Sequence, residues 1–261
     1  MLLTLDIGNS NIALGVFDGQ TLRFRAKLSA ATERSADEYA ALMYDLLRIN
    51  RIPRESIQGC MMGSVVPRLT GLVKEAVGIL TSAPVLQVGP GVKTGFRIRI
   101  DDPSQLGADL AADTAAVLAE YGAPAILIDA GTVTTLAAVD RDRTYLGGCI
   151  LPGLYSSAQL MKSATALLPA ISLSGGEEQV IGKNSADAMR LGLLYGSAMM
   201  VDGFLDRFLA MDGMAGANIV ATGGSAELAT DKCRHTIHLD RDLTLKGLRL
   251  LYELNQKGKR L

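Results

Sequence analysis

A short apolar strand that ends in aspartate and runs straight into a glycine turn occurs twice in this chain. The first copy is Leu2–Asp6 followed by Ile7-Gly8-Asn9-Ser10; the second, about 120 residues later, is Ala125–Asp129 followed by Ala130-Gly131-Thr132. Each copy continues into two more strand-like runs joined by turns. In the first these are Asn11–Phe17, Asp18-Gly19-Gln20 and Thr21–Ala26; in the second they are Val133–Val139, Arg141–Arg143 and Thr144–Gly147. Asp-Gly between apolar runs is a hairpin signal. A three-stranded meander that recurs, each time followed by helical patterns able to cover it, specifies an α/β layer architecture built twice.

The helical patterns are explicit. Ala40, Leu42, Met43, Leu46 and Leu47 recur at three and four over Ser35–Ile49, with Ser35 placed to cap the helix. Cys60–Val65 predicts a buried strand and Leu69–Leu80 a helix. Further on come a strand at Asn218–Thr222, a Gly223-Gly224 turn and a closing helix around Leu245–Leu254. A cut near residue 117 separates the repeats into segments 1–116 and 117–261. No low-complexity linker lies between them, so they are expected to pack closely with a cleft between. Ala186–Leu209 is apolar on more than one face, which suits either a core helix or an interface helix.

At 261 residues and 48% hydrophobic, the chain has enough apolar side chains for two modest cores. A net charge of −1 provides no general field to attract nucleic acid or an anionic membrane, so a small-molecule ligand is the default expectation. Cys60, Cys149 and Cys233 are widely spaced and form no CxxC pair, which argues against a disulfide framework or a zinc site and fits a reducing cytoplasm. No apolar run approaches the ~20 residues of a membrane span, and no export signal is read at the start.

The repeated loops suit phosphate and metal chemistry. Gly8 lets backbone approach an anion closely, the N–H groups after it can donate to phosphate oxygens, and Asp6 can hold a hydrated Mg²⁺ bridging phosphates. One such loop alone is more often a plain hairpin turn. Two of them facing across a cleft are what a nucleoside triphosphate needs, and neither copy has the Gly-rich, Lys-bearing pattern of a P-loop. Gly223-Gly224 could lie flat against an adenine ring or could be a strand-to-helix turn. Gly107-Ala108-Asp109 reads on its own as a helix start.

Several motifs in one order resemble the type III pantothenate kinase family over almost the whole chain: Asp6-Ile7-Gly8-Asn9-Ser10-Asn11, Ser64-Val65-Val66-Pro67, Gly89-Pro90-Gly91-Val92-Lys93-Thr94-Gly95, Gly107-Ala108-Asp109, Asp129-Ala130-Gly131-Thr132, Leu146-Gly147-Gly148 with Pro152-Gly153, Ile181-Gly182-Lys183-Asn184, and Ala221-Thr222-Gly223-Gly224. The resemblance implies duplicated actin-like (ribonuclease H-like) domains, each a mixed five-stranded sheet flanked by helices. It also implies a cytoplasmic homodimer that transfers the γ-phosphate of ATP to the hydroxyl of pantothenate, using Mg²⁺ and a monovalent cation, K⁺ or NH₄⁺. By position, Asp6, Ile7, Gly8, Asn9, Ser10, Asn11, Ile12 and Ala13, with Gly131, Thr132, Gly223 and Gly224, would bind ATP. Asp6 would also serve Mg²⁺ through the phosphates, and Asp129 the monovalent ion. Asp109 would be the general base, and Gly107, Ala108, Asp109, Leu110, Ile100 and Ser185 would face the acceptor.

The acceptor side departs from the family pattern. Leu110 stands where the family usually has Arg, Ile100 where it often has Tyr, Asp113 where it has Asn, and Ser185 where it has Thr. Ala137 replaces a usual Asp, and Leu167 and Ala170 replace basic residues. A guanidinium can grip a carboxylate bidentately; leucine has no donor. Two other functions stay open on these grounds: a paralogue that phosphorylates another small hydroxyl compound, and a non-catalytic nucleotide-binding regulator. Direct DNA binding is disfavoured, because no basic patch or recognition motif is present.

Overall fold

The computed structural model describes residues 1–174 and 180–256. The expected segment 117–261 therefore includes stretches that lie outside the described residues. In chain order the elements are β1 (Leu2–Ile7), β2 (Asn11–Asp18), β3 (Thr21–Ser29), α1 (Ala36–Ile49), β4 (Gly59–Ser64), α2 (Pro67–Leu80), β5 (Val85–Gln87), β6 (Arg97–Ile98) and α3 (Ala108–Glu120). They continue with β7 (Ala125–Ala130), β8 (Val133–Val139), β9 (Thr144–Pro152), α4 (Leu154–Ala164), α5 (Ser185–Leu209), β10 (Asn218–Thr222), α6 (Ala226–Thr230), β11 (His238–Leu239) and α7 (Leu243–Gln256).

The duplication is complete at the level of topology. One sheet has the strand order β3-β2-β1-β4-β5, and the other contains β9-β8-β7-β10-β11 in the same relation. In each, the first three strands are antiparallel and the fourth adds parallel to the first: Asp6 pairs with Ala13 and Gly63, and Asp129 with Thr135 and Thr222. The second sheet departs from the expected five strands. Its sixth, β6, pairs with β9 through Arg97↔Thr144 and Ile98↔Tyr145, an addition of two residues that leaves no periodic trace in sequence.

Two compact units result. The first comprises Met1–Gly95, Asp102–Ala116 and the final helix α7; the second comprises Phe96–Asp101 and Val117–Asp242. They differ from the segments 1–116 and 117–261 in two places, the β6 stretch and α7.

In the first unit, alternation along β1 decides the layers. Leu3, Leu5 and Ile7 point one way and join Ile12, Leu14 and Val16 in a core sealed by Tyr39, Met43 and Leu47 of α1 and Leu69, Val73 and Val77 of α2. Helix α1 starts where the sequence placed it. Ser35 Oγ accepts the Glu38 N–H (3.2 Å) while the Ser35 N–H donates to Glu38 Oε2 (2.7 Å), a reciprocal cap. Thr4 and Asp6 face the opposite side, onto which α7 and the start of α3 fold. Two glycines permit that approach: a Cβ on Gly59 would collide with the Tyr252 ring, and one on Gly247 with the carbonyl of Ala112. In the second unit, Ile126, Ile128, Ala130, Leu136 and Ala138 form the sheet side of a core with Leu154 of α4, Val201 and Leu205 of α5, and Ala226 and Ala229 of α6. Among the described residues no helix is long and apolar enough to cross a membrane.

Candidate active site

In the first unit the site is built on a row of the sheet. Lys27, Ala13, Asp6 and Gly63 lie side by side across β3, β2, β1 and β4, and paired residues project to the same face. Ala13 and Gly63 carry little or no side chain, so Asp6 stands in a shallow trough. The chain then turns sharply: the Gly8 N–H donates to the Asn11 carbonyl (3.0 Å), and a Cβ on Gly8 would be 3.3 Å from that oxygen. This turn leaves Asn9, Ser10 and Asn11 exposed beyond the strand end, as a phosphate-holding loop requires.

Asp109 enters on the first turn of α3. The Leu110 N–H donates to its Oδ1 (2.7 Å), and any side chain on Gly107 would strike that same oxygen. Gly107 is therefore the space into which the carboxylate folds. Both acids resist ionisation. Burial foremost, and the neighbouring Asp109 charge next, push Asp6 up to about 7, with Lys27 pulling the other way. Burial also raises Asp109, partly offset by the hydrogen bond from Leu110. Two half-buried carboxylates that disfavour each other's charge make a place where a proton or a cation is welcome.

In the second unit Asp129 is the last residue but one of β7, as Asp6 is of β1. The Gly131 N–H donates to the Val133 carbonyl (2.8 Å), closing a turn one residue shorter than the first, and Thr132 is exposed at its tip. Gly223-Gly224, which in sequence suits either a ligand cradle or a simple turn, lies directly against this loop. Gly223 has φ +99°, and a Cβ there would be 2.5 Å from the Ala130 carbonyl and 2.7 Å from Asp129 Oδ1. Ser225 fastens the contact, its N–H (2.9 Å) and Oγ (2.8 Å) both donating to the Ala130 carbonyl. A Gly223→Ala variant is expected to lose about 2–4 kcal/mol, combining left-handed strain with the clash, seen as a drop in melting temperature.

The remaining expected residues divide between the units. Ile7, Ile12, Gly107, Ala108 and Leu110 belong with Asp6 and Asp109, Leu110 half-buried. Ile100 belongs to the second unit, its Cγ2 3.5 Å from where a Cβ on Gly147 would be. Ser185 is the exposed first residue of α5, behind the Asn184 cap that accepts the Asp187 N–H (2.9 Å). Two residues were missed. Ser156 Oγ donates to the Thr132 carbonyl (2.6 Å) and so ties α4 to the second loop; a hydroxyl in the first turn after Gly153 was its only signal. Lys27 is an exposed residue of β3 with no motif around it, and only the strand register sets it in the row of Asp6.

Two α/β units that share the order of five strands, each with an aspartate near a strand end and a glycine turn after it, make a duplicated fold of the actin-like type. Solved structures of that shape agree. The activator of the 2-hydroxyisocaproyl-CoA dehydratase from Clostridium difficile, solved with bound ADPNP, matches with TM-score 0.55 at 13% identity, covering 100% of this chain and 97% of that one. Component A of the (R)-2-hydroxyglutaryl-CoA dehydratase from Acidaminococcus fermentans matches with TM-score 0.57 at 12% identity, covering 98% of each chain. The family is narrower than the fold. The family model for type III pantothenate kinase matches residues 2–207. A type III pantothenate kinase from Rubrobacter xylanophilus is 40% identical over the full length of both chains, and one from Moorella thermoacetica is 38% identical over 98% of this chain and 100% of its own. The chain belongs to the type III pantothenate kinase family.

Proposed function

We propose that this protein transfers the γ-phosphate of ATP to the hydroxyl of pantothenate, the first step of coenzyme A synthesis. The observation that carries the reading is the Asp6–Asp109 pair, two half-buried carboxylates within electrostatic reach of each other beside an exposed glycine loop, in a chain of this family. Asp109 is the general base: it accepts the proton of the acceptor hydroxyl as that oxygen attacks the γ-phosphorus in line. The N–H groups after Gly8 and those of Gly131 and Thr132 hold phosphate oxygens, and Gly223-Gly224 takes the adenosine. Asp6 suits a phosphate-bound Mg²⁺, because a nearby cation relieves the burial and repulsion that otherwise keep its proton on. Asp129, with its carboxylate oxygen beside the space left by Gly223, is the ligand for K⁺ or NH₄⁺. When bound, these ions neutralise charge that builds on the phosphoryl oxygens.

An assay of ADP release with ATP, Mg²⁺, K⁺ and pantothenate tests this directly. Turnover that requires all four supports it, and folded protein that gives none at millimolar pantothenate overturns it. Leu110 and Ile100 favour one second reading, a different small hydroxyl acceptor, since neither offers a donor to a carboxylate. A strict preference for pantothenate over other hydroxylated metabolites removes that alternative.

We further propose a cytoplasmic homodimer built on the second unit. Met199 and Met200 of α5 and Tyr155 and Leu160 of α4, two helices that pack on each other, are exposed large apolar side chains that a second copy could cover. Light scattering is expected to give twice the 27.6 kDa chain mass, and Met199→Asp to shift the protein toward monomer. A wild-type monomer at micromolar concentration overturns this.

A further inference from the structure

We infer that Lys27 is a phosphate-binding residue of this site, its ammonium meeting the terminal phosphate oxygens of the bound nucleotide. The inference rests on the proposed nucleotide site and adds to it a group from β3.

The register is the first support. Ala13 pairs with Asp6 on one side and with Lys27 on the other, so Lys27 lies two strands, roughly 10 Å, from Asp6 along the direction of the sheet hydrogen bonds. Ala13 is the one residue between them on that row of the sheet, and it carries only a methyl. A residue of ordinary size there would wall Lys27 off, whereas alanine leaves an open path for a flexible four-carbon stem. The trough is accessible: Asp6 and Ala13 are half-buried and Lys27 is exposed, while the next residues inward on β2, Leu14 and Gly15, are fully covered.

The second support is charge. Lys27 has no ion pair and no hydrogen bond among the described residues, and its charge acts on Asp6. Asp109 adds a second carboxylate, close enough to act on Asp6. Polyphosphate brought to the Gly8–Asn11 turn would meet two carboxylates that repel it. A cation on the same row, free to swing, offsets that repulsion, and a single ammonium can follow the γ-phosphoryl as it leaves the β-phosphate for the acceptor oxygen. Arg23 and Arg25 also project from β3, but Arg25 lies on the next row, opposite Gly15 and farther from the turn.

Lys27→Met, which keeps the stem and deletes the charge, tests the inference, with Lys27→Arg as the rescue. Calorimetric titration with ATP and with AMP is compared for the three proteins, alongside turnover. The expected result is a tenfold or greater loss of ATP affinity in Lys27→Met, unchanged AMP affinity, a fall in kcat, and substantial recovery in Lys27→Arg. The melting temperature should stay the same, since the side chain is exposed. ATP affinity and kcat both within twofold of wild type would overturn the role, as would equal losses for ATP and AMP. Wild-type protein that binds ATP but does not phosphorylate pantothenate contradicts the proposed function yet still reports on Lys27 through the binding comparison. Wild-type protein that binds neither nucleotide overturns both.

Discussion

Asp109→Asn is expected to lower kcat for phosphoryl transfer by about 10²–10⁴-fold while leaving the ATP dissociation constant within twofold of wild type. The amide keeps the shape and can still receive the Leu110 N–H, so what disappears is the capacity to take a proton. The same chemistry dictates the acid limb of the pH profile. Asp109 has to be ionised to act, and burial raises it above the usual aspartate range, so kcat/KM should fall on the acid side at a pH higher than an exposed carboxylate would give. The variant's residual rate should lack that dependence. Rapid-quench measurement of the chemical step, together with calorimetric ATP binding, decides the matter. A loss of less than tenfold, or an equal loss of ATP binding, would remove Asp109 from the role of base.

Asp6→Asn is expected to abolish turnover and yet stabilise the metal-free protein at neutral and alkaline pH. The folded state holds the Asp6 proton up to about pH 7, whereas an unfolded chain releases it near the ordinary value of 3.8. Between those limits the folded state binds more protons than the unfolded one, so stability is full below about pH 4 and declines as pH rises through 7. The asparagine variant has no such decline. Each pK unit corresponds to about 1.4 kcal/mol, so the gain at pH 8 is expected to be about 2–4 kcal/mol, shrinking toward zero at pH 4. Urea midpoints in chelator at pH 5 and pH 8 measure it; a variant no more stable than wild type at pH 8 would show that Asp6 ionises freely. The stabilised but inactive outcome is the signature of a carboxylate kept for its ligand rather than for the fold.

The parts of this site legible in sequence are those written in consecutive residues. A strand, an aspartate, a glycine and a small polar residue encode a loop locally, and the recurrence of that string made Asp6 and Asp129 stand out from ordinary turns. Ser35 with Glu38 announced α1 in the same local way. What sequence hid is encoded between distant residues. The fit of Tyr252 over Gly59 and of Gly247 over Ala112 joins partners more than a hundred positions apart, and no periodicity reports it. Lys27 became visible only once pairing across two strands was known, because alternation alone gives the same pattern for a solvated edge. The Gly223 turn lay between these cases: two glycines flagged it, but only the closeness of the Ala130 carbonyl and Asp129 showed why glycine is required.

The return of α7 to the first unit has a consequence for biosynthesis. On the ribosome, β1 to β5 emerge first, with Thr4, Gly15, Gly59 and Gly63 facing outward from a half-covered sheet. Their lid is made only after every residue of the second unit has been translated. The nascent first unit thus has to wait, holding one sheet face bare, while Val117–Asp242 can already collapse around its own core. Chains released early, before Leu243–Gln256 leave the exit tunnel, would carry both glycine loops and still present an uncovered sheet to chaperones and proteases.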